Sequence, residues 1–192
     1  MKPVKAFSLA IMVLALISCT SSPQRTKHYK FNPSATHISV NKTTKHIVVN
    51  SLQLATFLDQ PGLVIQLDKN QVYTSRYHRW AQPLRETLFN TLIQELNNAS
   101  STGYSFSKEK PLSAKSGSAQ LYIDVEQFNS TNQSQVIFSG QFWVYTQGKT
   151  LMANQHFHIT EQLSEDGYPH SVNMLQLTII QLAKEINAAL IN

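Results

Sequence analysis

The sequence predicts an α+β fold, in which a mostly antiparallel sheet carries two amphipathic helices packed on one face. Three observations predict it: two apolar stripes at helical spacing, three alternating strands between them, and strand signals before the first stripe. Helices segregated from mostly antiparallel strands are typical of α+β domains. With 192 residues, of which 42 % are hydrophobic, the chain has room for one ordinary domain with a sizeable core.

The first half of the domain begins with strands. Residues rich in Val and Ile predict a strand over 46–54, and the Pro61-Gly62 pair predicts a turn after it. A hairpin is predicted from strands at 63–67 and 72–75, with polar residues between them. No internal repeat is visible, so these strands belong to a single domain.

The first helix is predicted from an apolar residue at every fourth position, beginning just after Pro83. Proline suits a first helical turn, because its missing N–H would have no partner there. The stripe ends near Asn97 and comprises Leu84, Leu88, Leu92 and Leu96.

The second half is predicted to be a short strand, a three-stranded meander and a helix. The short strand is placed at 104–106. Apolar and polar residues alternate over 119–126 and 138–145, which predicts the first two meander strands, and 151–160 is predicted to be the third. Pro169 opens the last helix, whose apolar face steps by three or four through Val172, Leu175, Ile179, Leu182, Ile186 and Leu190.

Composition and charge exclude several classes of protein. The single cysteine excludes an internal disulfide framework and a cysteine-rich zinc site. The net charge is +5, and it falls to +3 if Lys2 and Lys5 are removed with a signal peptide. Because this charge is mild and scattered, the sequence does not predict nucleic-acid binding. We expect no cofactor.

The N-terminus predicts a lipoprotein signal peptide at residues 1–18. A short basic start precedes an apolar stretch over 6–17, which is too short to span a bilayer. Leu16-Ile17-Ser18-Cys19 resembles the bacterial lipobox, in which the cysteine becomes the lipid-carrying first residue. Thr20 is not the aspartate that signals inner-membrane retention, so we expect the periplasmic face of the outer membrane. The alternative is an ordinary signal peptide with a chance cysteine.

A tether is predicted to join this anchor to the domain. Residues 19–44 are polar and contain two prolines, which predicts a flexible segment, and the domain is assigned to 45–192. Tyr29 and Phe31 are the residues of this tether that we expect to dock on the domain.

The sequence contains no motif for catalysis or a metal centre. His156 and His158 share a strand face, but two ligands do not make a zinc site. Asp124 and Glu126 are also predicted to share a face, where solvated strand residues are a simpler interpretation than a catalytic acid pair. We therefore predict that the protein is not an enzyme.

Two segments look unlike an ordinary core. Residues 54–61 read LATFLDQP, with an apolar pair inside a turn, and residues 79–84 read RWAQPL at the start of a helix. They supply the candidates for a partner-binding surface, and the local alternative is that Trp80 is buried and Arg79 pairs with Asp59. The candidates are Phe57, Leu58, Asp59, Pro61, Arg79 and Trp80.

These segments carry a resemblance to the ABC-type transport auxiliary lipoproteins. In that family a Leu-Pro-x-Tyr-Leu-Asp-Arg-Pro-like segment precedes an Arg-Trp-Ala-Glu-Pro-Leu-like one, and LYIDVEQF at 121–128 is similar to a later family strand. Together with the lipobox, the resemblance covers essentially the whole chain. Ala55, Gln60 and Gln82 depart from the pattern, which puts any contact made by the family's Arg or Glu in doubt here.

The resemblance implies a non-enzymatic accessory lipoprotein of a lipid transport system that links the inner and outer membranes and contributes to envelope integrity. The implied partner is an inner-membrane MCE-domain protein, and the implied assembly is a homo-oligomeric ring. Two alternatives from other classes are a periplasmic lipid carrier with its own apolar pocket and a surface hydrolase.

The sheet face opposite the helices, or its edge, is the predicted contact between copies of the domain. If Phe138, Phe142 and Val144 pack under the helices, their neighbours point away, and Trp and Tyr are enriched at interfaces. The alternative is that Tyr29 and Phe31 of the tether cover this face. The interface candidates are Ile137, Trp143 and Tyr145.

Overall fold

The computed structural model describes residues 24–32, 45–100, 103–109 and 118–191. The elements in chain order are strand β1 (Lys27–Tyr29), β2 (Lys45–Leu54), β3 (Gly62–Asp68), β4 (Gln71–Trp80), helix α1 (Leu84–Ala99), β5 (Tyr104–Ser107), β6 (Ala119–Thr131), β7 (Gln135–Tyr145), β8 (Leu151–Gln162) and helix α2 (Tyr168–Ala189). The predicted signal peptide and the cysteine predicted to carry the lipid lie outside the described residues.

The long strand β6 organises the sheet. Strand β7 pairs with one edge of β6 along most of its length, and β8 continues the meander. The other edge of β6 is shared, because β2 pairs with its first half and β3 pairs with its last two residues. Strand β5 lies outside β2, while β4 and then β1 lie outside β3.

The sheet is mixed, and the expectation of a mostly antiparallel sheet was wrong. Four of the seven pairings between described strands are parallel: β1 with β4, and β2 with β5, β2 with β6 and β3 with β6. The turn after β2 sends β3 onward along the same edge of β6. The chain then returns through α1 and β5, and such crossovers give parallel neighbours. The predicted hairpin and meander are antiparallel, as expected.

The two helices form the second layer of an α+β domain, as predicted. Helix α1 packs on β2 and β5, helix α2 packs on the β6–β8 meander, and the helices contact each other. Their apolar stripes are buried, except that Leu190 lies just past the end of α2 and is half-buried. The amide Nδ2 of Asn187 donates hydrogen bonds to the carbonyl oxygens of Leu96 and Ala183 at 3.1 and 2.9 Å. That amide therefore joins the last turn of α2 to α1.

A β-bulge at Glu126 reverses the alternation of β6. Val125 pairs with Gly140 and Gln127 pairs with Ser139, so Glu126 has no partner on β7. Residues Leu121, Ile123 and Val125 face the core before the bulge, and Phe128 faces it afterwards. The extra residue at the bulge therefore keeps Phe128 on the core face of the sheet.

A row of aromatic rings crosses the core from the N-terminal segment to the edge strand β8. Neighbouring ring centroids lie 4.9–6.0 Å apart, and three of the four contacts are edge-to-face, a geometry that aromatic quadrupoles favour. The row comprises Trp80, Phe31, Phe128, Phe138 and Phe157. Because it includes Phe31, the N-terminal segment is part of the core.

The docking expected of Tyr29 and Phe31 is confirmed. Strand β1 pairs in parallel with the end of β4, and the N–H of Ala81 donates to the carbonyl of Tyr29 at 2.8 Å. The backbone N–H of Asn32 donates to Oε1 of Gln176 on α2 at 3.0 Å, and the Gln176 amide donates back to the carbonyl of Asn32.

We expect Gly140→Ala to lower the free energy of unfolding by about 3 kcal/mol, the upper part of the range for overpacking. A Cβ at this position would lie 2.0 Å from the backbone oxygen of Asp124, so β6 and β7 would have to separate. Gly148→Ala is the control, because its Cβ would meet nothing closer than 3.8 Å. Urea denaturation measures both, and equal losses would contradict this explanation.

Candidate functional site

The two unusual segments of the sequence come together in the structure. The turn at 55–61 follows β2, while residues 79–84 end β4 and begin α1. The N–H of Trp80 donates to the carbonyl of Pro61 at 2.8 Å, which joins the segments directly. Segments that are well apart in the sequence therefore line one continuous surface.

Side-chain contacts hold this turn in place. The Gln60 amide donates to Oγ1 of Thr74 at 2.9 Å and to the carbonyl of Phe57. Asp59 accepts a hydrogen bond from Nη2 of Arg85 at 2.6 Å, in an exposed ion pair. The expected pairing of Asp59 with Arg79 was wrong, because Arg79 lies on β4 opposite Gly62 while Arg85 projects from the first turn of α1.

Between the segments lies a recess of about 340 Å³, which we call the motif cavity. Its lining combines apolar side chains with two amides and one carboxylate: Asp59, Gln60, Pro61, Trp80, Ala81, Gln82, Pro83 and Leu84. No hydroxyl, thiol or imidazole side chain lines it, so it lacks the groups of nucleophilic and general-base catalysis apart from one ion-paired carboxylate.

The partner-binding candidates divide into supporting and accessible residues. Leu58 and Trp80 are buried, and Trp80 reaches the motif cavity only as part of its wall. Phe57, Asp59 and Pro61 are exposed. Arg79 is also exposed, but it does not line the cavity.

The oligomer candidates lie on the sheet face opposite the helices. Phe138, Phe142 and Val144 are fully buried beneath the helical layer, while Trp143 and Tyr145 are half-buried on the other face. Ile137 is buried, with 8 % of its surface exposed, so of the three candidates it offers no accessible contact to a second copy. A groove of about 410 Å³ contains the two aromatic residues, and it is lined by Ser51, Gln53, Gln120, Tyr122, Asp124, Trp143, Tyr145 and Lys149.

The alternative in which the tether covers this face was wrong. Tyr29 contacts His78 and Tyr168, and Phe31 contacts Trp80 and Phe128. Both residues therefore pack on the helical side of the sheet, where they fill its core.

The weaker sites remain separate from the motif cavity. His156 and His158 are exposed on β8, and over the residues that the structure describes no group of three His, Cys, Asp or Glu side chains could hold a metal. Asp124 lines the sheet-face groove, whereas Glu126 occupies the bulge.

Oγ of Ser105 and Nδ1 of His46 lie 2.6 Å apart as a cross-strand pair, and no described carboxylate orients that imidazole.

A stacked group that the sequence analysis missed fixes the N-terminal segment. The His78 ring stacks on Tyr168 at 3.7 Å between centroids and on Tyr29 at 5.7 Å, and the Tyr29 hydroxyl and His78 Nδ1 are 2.7 Å apart. Burial lowers the pKa of His78 from its ordinary value of 6.5, and nearby Lys27 lowers it further. Burial raises the pKa of Tyr29, with Tyr168 as the second cause. Only the folded chain brings these three residues together.

We expect docking of the N-terminal segment to weaken as pH falls below 6.5. Because His78 has a lower pKa in the folded chain, the unfolded chain binds the proton more readily. The stability contribution of His78 is therefore complete above pH 6.5 and is lost as pH falls toward its folded pKa. Hydrogen exchange at the Ala81 N–H, measured between about pH 7.5 and 5.5, reports this loss.

His78→Phe is the matched variant for that experiment. It keeps an aromatic ring between the two tyrosines but removes the ionisable group. Its Ala81 exchange, corrected for intrinsic rates, should be independent of pH over this range. The same acid-induced increase in the variant and the parent would contradict the role assigned to His78.

The chain belongs to the family of ABC-type transport auxiliary lipoprotein components, whose pattern matches residues 29–187. This match confirms the resemblance that the two segments suggested, and it begins within the docked strand β1. In the part of the chain that the structure describes, neither helix is long and apolar enough to cross a membrane.

Two curated relatives carry the name intermembrane transport lipoprotein PqiC. The proteins from Escherichia coli and Shigella flexneri are each 26 % identical to this chain over 175 residues, which cover 89 % of both chains. The chain is therefore similar to accessory lipoproteins of an intermembrane transport system.

Solved structures share the fold. An uncharacterised protein of known crystal structure matches with a TM-score of 0.73 and 22 % identity, covering 85 % of this chain and 97 % of its own. A protein of Xanthomonas campestris matches with a TM-score of 0.65 and 15 % identity, covering 86 % of this chain and 95 % of its own. At these identities the likeness supports the α+β architecture alone.

Proposed function

We propose that this chain is a non-enzymatic accessory lipoprotein that is anchored in the outer membrane and serves an MCE-type lipid transport system. In this proposal it links the apparatus of the inner membrane to the outer membrane and contributes to envelope integrity. The supporting observation is that the two segments shared with the family form one surface around the motif cavity. Relatives named for intermembrane transport give that surface its proposed context.

The proposal assigns one role to each segment, in order along the chain. Residues 1–18 direct export, the lipid on Cys19 anchors the protein in the outer membrane, and the segment up to β1 acts as a tether. The motif cavity receives part of an MCE-domain protein. Asp59, Gln82 and the edge of Pro61 supply its accessible contacts, while buried Leu58 and Trp80 keep the turn in shape.

The alternative function, a lipid carrier with its own apolar pocket, has weaker support. The space between sheet and helices is filled by one continuous cluster of buried side chains that runs from Phe31 to Ile186. The motif cavity and the sheet-face groove are open recesses with polar groups in their walls. A binding assay with a radiolabelled phospholipid tests this alternative. One phospholipid bound per chain would favour the lipid carrier.

Co-purification tests the partner assignment. The full-length protein, extracted in mild detergent, should retain an MCE-domain protein. Pro61→Asp combined with Gln82→Asp places two charges in the motif cavity and should abolish retention. Gln155→Asp combined with Gln162→Asp adds the same charge on exposed β8 and is the control. Equal retention by both double variants would contradict a role for the cavity.

The interface between copies is proposed to use the sheet face opposite the helices, which carries the groove lined by Trp143 and Tyr145. Mass measurement in solution should show an oligomer for a chain that begins at Gln24, which keeps Phe31 in the core. Trp143→Ser with Tyr145→Ser should dissociate it, because the variant loses two aromatic surfaces. Tyr73→Ser with Tyr77→Ser, at exposed positions of β4 that do not line the groove, is the control. A folded monomeric parent would contradict the oligomer, and an oligomer unaffected by the first pair would contradict the face.

A further inference from the structure

Charge is distributed very unevenly over this domain. The segment 24–32 and the hairpin 62–80 together carry six Lys or Arg residues and one acidic residue. The rest of the described chain carries five basic and ten acidic residues. Because β1, β4 and β3 are neighbours in the sheet, the positive residues form one edge of the domain, which we call the basic edge.

Pairing of β1 with β4 concentrates this charge. The register places His28 beside Arg79, and Gly62, the partner of Arg79 on β3, has no side chain there. Lys27 and Lys30 extend the positive surface along β1, and all the basic side chains of the edge are exposed: Arg25, Lys27, Lys30, Lys69, Arg76 and Arg79.

The basic edge also exposes large apolar and aromatic side chains. Val72 and Leu67 flank the tip of the β3–β4 hairpin, while Tyr73 and Tyr77 are 44 % and 39 % exposed on β4. Tyrosine has an apolar body and a polar tip, and it is enriched where a membrane meets water. Positive charge together with such residues is the composition of surfaces that lie against anionic lipid.

We propose that the basic edge rests on anionic phospholipid headgroups of the membrane that holds the protein. The chain length favours this occupant over a soluble acidic partner. Lys27 follows Cys19 by eight residues, which span at most about 28 Å, and docking of β1 fixes Lys27 to the edge. An anchored chain therefore keeps β1 close to the membrane, which favours an orientation with the basic edge toward the lipid and the acidic remainder facing away. The orientation rests on the proposed lipid anchor.

Vesicle binding without the anchor tests the inference independently of transport. A chain that begins at Thr20 keeps every described residue and lacks the lipid-carrying cysteine. At about 50 mM salt it should co-sediment with phosphatidylcholine vesicles containing about 30 % phosphatidylglycerol, and should bind at least about tenfold more weakly to phosphatidylcholine alone. Binding should fall further at about 500 mM salt.

Two triple variants with the same change in charge locate the contact. Lys27→Gln, Lys30→Gln and Arg79→Gln together should lower the partition coefficient on the order of 100-fold, since each basic residue near an anionic surface contributes about fivefold. Lys108→Gln, Lys149→Gln and Lys184→Gln, all away from the edge, should change it by less than about threefold, because charges beyond a Debye length are screened.

Three outcomes would overturn the proposal: no binding to phosphatidylglycerol vesicles at low salt, equal binding to neutral vesicles, or equal losses in the two triple variants. The first outcome would leave an acidic protein as the occupant. None of them bears on retention of an MCE-domain protein, which involves the motif cavity, so this inference and the proposed function can fail separately.

Discussion

Cys19→Ala is expected to move the protein from the outer membrane to the soluble periplasmic fraction, or to leave its signal peptide uncleaved. Acyl chains bury many CH₂ groups at about 0.8 kcal/mol each, so two or more chains anchor a protein stably. Without the acyl chains, only the basic edge would bind the protein to the membrane, and a salt wash would release the protein. Fractionation with and without a salt wash, together with metabolic acyl labelling, measures the change.

Ser22→Ala is the control for this experiment, because it alters the same segment without touching the lipid site. It should fractionate and label as the parent does. A Cys19→Ala protein that keeps both the membrane fraction and the acyl label would contradict the anchor assigned from the lipobox.

Phe31→Ala is expected to destabilise the domain by about 3–5 kcal/mol, the usual cost of removing a buried phenylalanine. Phe31 is 5 % exposed and contacts Trp80 and Phe128 in the aromatic row. Its loss would leave a cavity at the end of this row and free β1 from β4. Urea denaturation of the chain that begins at Gln24 gives the difference in free energy of unfolding.

Phe57→Ala removes the same number of atoms from an exposed position and should cost less than about 1 kcal/mol. The comparison matters for the tether. If both variants unfold alike, the N-terminal segment is not part of the core, and the tether would extend to Lys45 as the sequence suggested.

Patterns within one element were predictable from the sequence, because the burial of a helix or strand leaves its own periodicity. The apolar stripe from Leu84 to Leu96 correctly predicted α1, and the alternation from Leu121 to Val125 correctly predicted β6. Pairing between distant elements leaves no such pattern. Nothing near β2 in sequence indicates that it pairs in parallel with β6, because α1 and β5 lie between them.

The candidate site shows the same limit. The unusual composition of 54–61 and 79–84 correctly marked two segments that meet, but the choice of ion pair depended on the direction in which α1 leaves β4. Asp59 therefore pairs with Arg85 instead of Arg79. Glu95 of α1 is only 4 % exposed, and no periodicity in the sequence marks that carboxylate as buried.

The docking of strand β1 shortens the segment that can act as a tether. The sequence suggested about 25 flexible residues, enough to hold the domain well away from the membrane. With Tyr29 and Phe31 packed in the domain, the segment between Cys19 and the fold is much shorter, and in the proposed orientation the basic edge lies beside the membrane. In this arrangement the acidic part of the domain faces the periplasm.

Site-specific photocrosslinking in cells tests most directly whether this lipoprotein binds an MCE-domain protein through the motif cavity. A photoreactive residue replaces Gln82, which is exposed in the wall of the cavity, or Lys184, which is exposed on α2. We predict an adduct containing an MCE-domain protein from position 82 and none from position 184. Adducts of equal yield from both positions, or no MCE-domain protein at position 82 while the variant remains folded and anchored, would contradict this account.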